Sequence, residues 1–404
     1  AAVCEYEYLP LERHAASGHL ASLIHRAYTS SLKMPEADLG DVEKLVEMIA
    51  ESKKPMLICG GGVVRGRADR QFRAFAEKLD APVAITVMGG GGFPGAHPLT
   101  TGMIGMHGSQ ASNVACNECD LLIAVGCRFS DRVALQPDTF ASQAKIVHID
   151  IDRSEIDKNV LTDHHIVGSA KRVLELLNQR LPQYQHTGWK EHILPLREKQ
   201  PVEDGADRLT PGQILDAIQQ AVPKGSIVAT DVGQHQMWTM QFYKFEKPQR
   251  LLTSGGLGTM GYGLGAAIGG CIANGRKRTV LFTGDGSFGM NLNEMATAVS
   301  QNLPLTIVVM NNDVLGMVRQ WQTIFYDCHY SHTTLDRRTD FPALAAAFGA
   351  KGVSAHTMEE LKKALDEADQ SDGPVLIDCH IGMDEKVLPM IPPGRSARDM
   401  IVKG

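Results

Sequence analysis

Gly284-Asp285-Gly286, then a Met- and Ala-rich segment, then Leu305-Thr306-Ile307-Val308-Val309-Met310-Asn311-Asn312: this stretch decides what kind of fold the chain adopts. An acid stands in a glycine turn behind the apolar run Thr279-Val280-Leu281-Phe282, and an amide ends a second apolar run 27 positions later, at 312. Adjacent parallel strands joined by a crossover helix bring their C-terminal ends side by side, where open α/β sheets bind ligands. A carboxylate and a carboxamide oxygen converging there suit a small hard cation such as Mg²⁺, which also keeps phosphate oxygens and water. Gly284 and Gly286 let a diphosphate approach the backbone, and a helix opening near Ser287 turns free N–H groups toward it. Singly, the glycine triplet is a tight turn and the Asn pair a cap. Joined at this spacing behind two strands, they form a site for a metal-bound diphosphate.

Bulk properties fit an enzyme. At 404 residues the chain can hold two or three domains. A net charge of −6 gives no electrostatic reason to expect nucleic acid or an anionic membrane. No apolar run approaches a membrane span, and no signal-peptide pattern is present. Eight cysteines in a chain of this size do not make a disulfide framework. Cys59, Cys271 and Cys379 sit in apolar surroundings that predict burial, and Cys116-Asn117-Glu118-Cys119 lacks the second pair or His ligands of a metal site. A reducing, cytoplasmic compartment is expected.

Short apolar runs alternate with helical stretches, which predicts an α/β protein of two doubly wound parallel-sheet domains. Residues 1–35 form an irregular, extended linker. The central domain, 36–182, has helices near Val42–Ser52, Asp69–Leu79, Gln110–Asn117 and Ala170–Leu181. Its strands are Pro55–Cys59, Pro82–Val87, Leu121–Val125 and Lys145–Asp150, with a Gly60-Gly61-Gly62 turn after the first. Residues 183–208 are polar, lack a long periodic run and read as a connection. Thr210-Pro211-Gly212-Gln213 has capping-box form with Pro at the first helical position. It opens the second domain, 209–404, with strands near Ile227, Leu252, Val280, Ile307 and Val375.

Two further loops follow strands. Asp231-Val232-Gly233-Gln234-His235-Gln236 follows Ser226–Thr230 and carries groups that suit phosphate contact, although such a loop is commonly structural. Gly256, Gly258 and Gly261 make a formal GxGxxG between a strand and the helix Leu264–Cys271, so dinucleotide binding competes. The acid expected on the ribose would then be Asp285, which is already paired with Asn312 across the metal position. Diphosphate binding wins.

With these pieces in place, the chain resembles the thiamine diphosphate enzymes, whose cofactor motif is GDG followed at this distance by NN. Asp231 to Trp238, Gly256 to Gly270, Gly284 to Asn312 and Leu315-Gly316-Met317-Val318-Arg319-Gln320-Trp321 resemble, more narrowly, the catalytic subunit of acetohydroxyacid (acetolactate) synthase. Gly105-Met106-His107-Gly108, Arg128-Phe129-Ser130-Asp131-Arg132-Val133 and Lys145 to Asp152 resemble that family's central domain, which holds FAD in its FAD-containing members. The resemblance runs nearly the whole length, to Leu388-Pro389-Met390-Ile391-Pro392.

That resemblance implies Asp285, Asn312 and the backbone carbonyl of Val314 as Mg²⁺ ligands. It puts Gly233, Gln234 and His235 on the diphosphate or the substrate end, with Gly258, Gly284, Gly286, Ser287, Leu315, Gly316 and Met317 completing the cofactor loops. Met260 would press between the cofactor's two rings, a wedge that an unbranched thioether suits. Arg132, Met317 and Trp321 would shape the pocket for the second 2-ketoacid, a planar fork for its carboxylate and an apolar wall. Without the resemblance, Arg132 beside Asp131 is a surface ion pair and Met260 a core residue. FAD would lie on Gly60, Gly61, Gly62, Thr86, Gly105, Met106, His107, Gly126, Arg128 and Asp150, although Arg65 stands where a GxGxxG begun at Gly60 would place its last glycine.

The implied activity is decarboxylation of pyruvate and joining of the two-carbon fragment to pyruvate or 2-ketobutyrate, in branched-chain amino-acid synthesis. Other carboligases or oxidases of the superfamily (glyoxylate carboligase, pyruvate oxidase) and a non-catalytic cofactor-binding remnant are the alternatives. Ser130 departs from the family's acid in the Arg-Phe-Asp-Asp-Arg string, and Pro393 from a small polar residue. No His-Glu-Gln-like string of the pyrimidine-binding domain occurs, so the activating glutamate is expected from a separate domain and weak turnover from these residues alone. A homo-oligomer and a regulatory subunit are the implied partners.

Overall fold

Buried parallel strands show as unbroken apolar runs because helices cover both faces of the sheet. The computed structural model, which describes residues 35–199, 208–336 and 339–403, shows this twice. Apart from Pro35, the linker expected over 1–35 lies outside the described residues.

The first sheet comprises β1 (Pro55–Cys59), β2 (Val83–Ile85), β3 (Thr100–Met103), β4 (Leu121–Val125), β5 (Lys145–Asp150) and β6 (His164–Val167). Their order is β3-β2-β1-β4-β5-β6, with every pair parallel. The second comprises β7 (Ile227–Thr230), β8 (Leu251–Leu252), β9 (Thr279–Gly284), β10 (Leu305–Asn311), β11 (Lys351–Ala355) and β12 (Val375–His380). It is ordered β11-β12-β10-β9-β7-β8, again all parallel. Strand order reverses between β1 and β4 in one sheet and between β7 and β9 in the other. Each reversal opens a crevice at the C-terminal strand ends, where doubly wound folds hold their ligands.

Alternation sorts the side chains. On β1, Leu57 and Cys59 face one apolar cluster while Met56 and Ile58 face another. The first of these clusters also takes Val280 and Phe282 of β9 and Val308 of β10, so the two sheets share a core within the compact unit Ala37–Gly404. The expected capping box is present: Thr210 Oγ1 accepts from Gln213 N, and Gln213 Oε1 accepts from Thr210 N at 3.1 Å.

Two expectations are corrected. Gly60-Gly61-Gly62 is not a free turn, because a short helix, Gly61–Arg65, begins there with Gly60 as its N-cap. The strand expected over Pro82–Val87 is confined to Val83–Ile85, since Thr86 caps a 3₁₀ turn by accepting from Gly89 N. Within the connection expected over 183–208, of which 200–207 lie outside the described residues, there is one short α-helix. Thr187–Ile193 is helical, and Trp189 is buried with its Nε1 donating to Pro55 O at 3.0 Å. One indole and one isoleucine suffice to seat seven residues, too few for a periodic signal.

Candidate functional site

β9 and β10 run in register, with Met310 opposite Gly284. The chain therefore leaves both strands at one level. Asp285 opens the helix Asp285–Asn291, with Gly284 as its N-cap, and Asn312 follows directly on β10. Both side chains are buried. The helix starts two residues earlier than expected, which makes Asp285 part of its first turn.

Asn312 is held at both ends of its amide. Its Nδ2 donates to Gln234 Oε1 at 3.2 Å, and its Oδ1 accepts from Val314 N at 3.3 Å. Val314 is buried, and Asp313 takes a left-handed backbone (φ 58°), so the loop doubles back between the two. Ser287 Oγ donates to Val232 O at 2.8 Å, tying the Gly284–Gly286 loop to the end of β7.

The switch point itself is lined by Asp231, not singled out from sequence although its place at a strand end was visible. Its Oδ1 accepts from Gly261 N at 2.7 Å and its Oδ2 from Thr283 Oγ1 at 3.2 Å. Burial raises its pKa, while these donors pull it back down. Asp231 thus pins the glycine-rich loop Gly256–Gly261 to the sheet. His235 is fully buried, and burial holds its pKa down at about 3, so the ring is neutral. Among the described residues its Nε2 has no hydrogen-bond partner. A Cβ at Gly284 would lie 3.0 Å from its Nδ1, so the ring packs tightly under the loop.

Met260 reaches the same place. Its Cε lies 3.8 Å from where a Cβ on Gly286 would be, with Leu315 Cδ2 at 2.8 Å. Gly258 has φ 75°, a conformation that favours glycine. Gln234 and Gly316 are in contact across the loop, and Met317 packs partly against the core. Trp321 meets Phe325 edge to face at 5.5 Å. Arg132 pairs with Asp131 at 2.9 Å, both exposed, as the simpler expectation had it. Among the described residues no hydrogen bond or ring contact joins Arg132 to Trp321.

The central-domain candidates gather along the C-terminal edge of the first sheet. Gly60 and Gly62 abut Gly126 so closely that a side chain on any of the three would overlap backbone. Thr86 N donates to Cys59 O, and Gly126 N to Ile149 O beside Asp150. Gly105 (φ 103°), Met106 and His107 follow β3. Met106 N donates to Arg132 O, Ile391 N donates to Met106 O, and Gln241 Nε2 donates to His107 O. The Arg128 guanidinium comes within 3.5 Å of a Cβ position at Gly256, linking this edge to the glycine-rich loop of the second sheet. Cys59, Cys271 and Cys379 are buried free thiols, and so are Cys116 and Cys119. Among the described residues no helix is long and apolar enough to cross a membrane, and no three His, Cys, Asp or Glu side chains cluster as a metal site. One carboxylate with one amide is the sparse set that Mg²⁺ uses when a bound phosphate completes its shell.

Residues 231–379 match the family model of the thiamine pyrophosphate enzyme C-terminal TPP binding domain, and residues 42–177 match that of the thiamine pyrophosphate enzyme central domain. The chain is 40% identical to the acetolactate synthase isozyme 2 large subunit of Escherichia coli over 399 residues, 98% of this chain and 71% of that protein. The chain belongs to the acetolactate synthase large-subunit family. It is also 41% identical to the acetolactate synthase large subunit of Cyanidium caldarium, covering 66% of that protein, and 42% identical to the probable one of Methanocaldococcus jannaschii, covering 61%. The chain thus spans less than two thirds of the length of these last two relatives. The match to the TPP binding domain spans most of the second sheet and makes thiamine diphosphate its cofactor. The orphaned His235 nitrogen beneath the Gly284 loop fits a phosphate group seated there.

Proposed function

We propose that this chain supplies the Mg²⁺–thiamine diphosphate end of an enzyme that decarboxylates pyruvate and joins the fragment to pyruvate or 2-ketobutyrate. One observation carries the proposal: the Met310–Gly284 register, which sets Asp285 and Asn312 side by side at buried strand ends. Bound thiamine diphosphate supplies the electron sink for decarboxylation. The chain's own residues hold and orient. Asp285, Asn312 Oδ1 and the Val314 carbonyl take Mg²⁺. The N–H groups opening the helix at Asp285 face the diphosphate. Neutral His235 offers its free Nε2 as a donor or acceptor there. Met260, over Gly286, wedges the cofactor, and Arg132, Met317 and Trp321 border the second ketoacid. FAD would lie on the first sheet's edge, on Gly60 to Gly62, Thr86, Gly105 to His107, Gly126, Arg128 and Asp150. The relatives' designation as large subunits supports a small regulatory partner and assembly of several copies.

The test is thiamine diphosphate binding, by calorimetry with and without Mg²⁺, together with acetolactate formation from pyruvate. Mg²⁺-dependent binding that Asp285→Asn removes supports the proposal. Binding indifferent to both Mg²⁺ and Asp285 overturns it.

A further inference from the structure

The helix Gly316–Phe325 buries one side chain, and that side chain is a glutamine. Burying a carboxamide is costly unless it is hydrogen-bonded, and Gln320 is bonded at both ends. Its Oε1 accepts from Val387 N at 2.8 Å and from Gln234 Nε2 at 3.1 Å. Its Nε2 donates to Val387 O at 3.1 Å. Gln234 Nε2 also donates to Glu385 O at 2.7 Å, and Gln234 Oε1 accepts from Asn312 Nδ2.

The polarity of this chain of amides is forced from one end. A backbone N–H can only donate and a backbone carbonyl can only accept, so Val387 dictates which way Gln320 faces. Val387 and Glu385 together then dictate Gln234, whose remaining atom toward Asn312 must be oxygen. Asn312 must answer with its nitrogen. Its oxygen is thereby turned to the other side, where Val314 N–H meets it. A flipped Asn312 would set oxygen against oxygen at Gln234 and nitrogen against N–H at Val314.

We infer that Gln320 is a positioning residue: through Gln234 it fixes which atom Asn312 presents, and so sets the affinity for the divalent cation. Mg²⁺ binding by Asn312 is itself part of the function proposed above, so the test separates the two. The readout is the Mg²⁺ concentration that half-saturates thiamine diphosphate binding, followed by protein fluorescence, with melting temperature recorded alongside. Gln320→Met keeps the volume and removes the bonds, and should raise that midpoint about tenfold, as the loss of one or two hydrogen bonds would. In an Asn312→Asp background Gln234, oriented by Gln320, sets its oxygen against a carboxylate oxygen, so Gln320→Met, which loosens Gln234, should leave the midpoint unchanged or lower it. A role confined to packing would instead shift both backgrounds alike, and that result, or an unshifted midpoint in the Asn312 protein, overturns the inference. If Gln320→Met does not fold, Gln320→Leu carries the same cycle. Failure of the underlying site shows differently: Asp285→Asn would then leave the wild-type midpoint unchanged.

Discussion

Gly316 and Gln234 are packed so tightly that a Cβ at 316 would overlap Gln234 Oε1 and come within 2.7 Å of Asn312 Nδ2. Backbone of the helix start at 316, the amide of Gln234, which opens the helix Gln234–Phe242, and the amide of Asn312 share one small space. Gly316→Ala should therefore push Gln234 and Asn312 apart without touching any charge. Overpacking of this kind costs about 1–3 kcal/mol. Thiamine diphosphate affinity in the presence of Mg²⁺, measured by calorimetry, should fall about tenfold or more; an unchanged affinity would show that these amides do not set it.

Asp285 is the one carboxylate of the proposed Mg²⁺ set. Asp285→Asn removes its charge while keeping its shape. The loss of Mg²⁺ affinity should exceed the roughly 10- to 100-fold typical of groups that merely support a ligand. Titration of Mg²⁺ against a fixed thiamine diphosphate concentration measures it. Asn311→Ala, whose Nδ2 bonds Asp378 Oδ1 at 3.0 Å one residue before Asn312, should have a smaller effect.

Two buried histidines contribute to the loss of stability in acid. Burial lowers His235 from 6.5 to about 3, and His107 from 6.5 to about 4. Above pH 6.5 both rings are mostly neutral in the folded and unfolded states and cost the fold little. As pH falls from 6.5 toward 4 and then 3, the unfolded chain takes up protons that the fold resists, and stability declines. The urea midpoint should drop over that window, and His235→Gln should flatten the drop. Parallel profiles for the two proteins would remove His235 as its source.

Trp189 anchors the helix between the two sheet domains through Pro55 O and the apolar cluster of Met56 and Ile58. Trp189→Ala should cost about 3–5 kcal/mol by the usual penalty for emptying a buried aromatic site. Chemical denaturation would show it as a lowered midpoint. A loss under about 1 kcal/mol would mean that this segment only rests on the surface.

The candidate site was legible where chemistry and spacing coincide in the chain. Asp285 and Asn312 announce themselves because each follows an apolar run, and the run predicts the strand that positions it. His235 and Gln234 were visible as loop residues, but their burial was not. Gln320 gave no signal at all, since a glutamine on a helix next to Arg319 and Trp321 looks like a surface residue. Only the tail from Glu385 to Val387, folding back beneath it, makes it a buried amide.

The strands that sequence reading missed are β3, β6 and β11, and all three lie at sheet edges. Thr100-Thr101-Gly102-Met103, His164-His165-Ile166-Val167 and Lys351-Gly352-Val353-Ser354-Ala355 pair on one side only and need no long apolar run. Central strands are covered on both faces, so burial writes them into the composition. By itself the chain of residues determined the alternation of strand and helix, the helix caps and the two halves of the diphosphate motif, because each depends on neighbours within a few positions. Tertiary structure alone decided the strand orders, the place of Asp231 at a crevice and the direction in which Asn312 points. Those depend on contacts between residues far apart in the chain, such as Gln234 with Gln320 and Asp231 with Gly261.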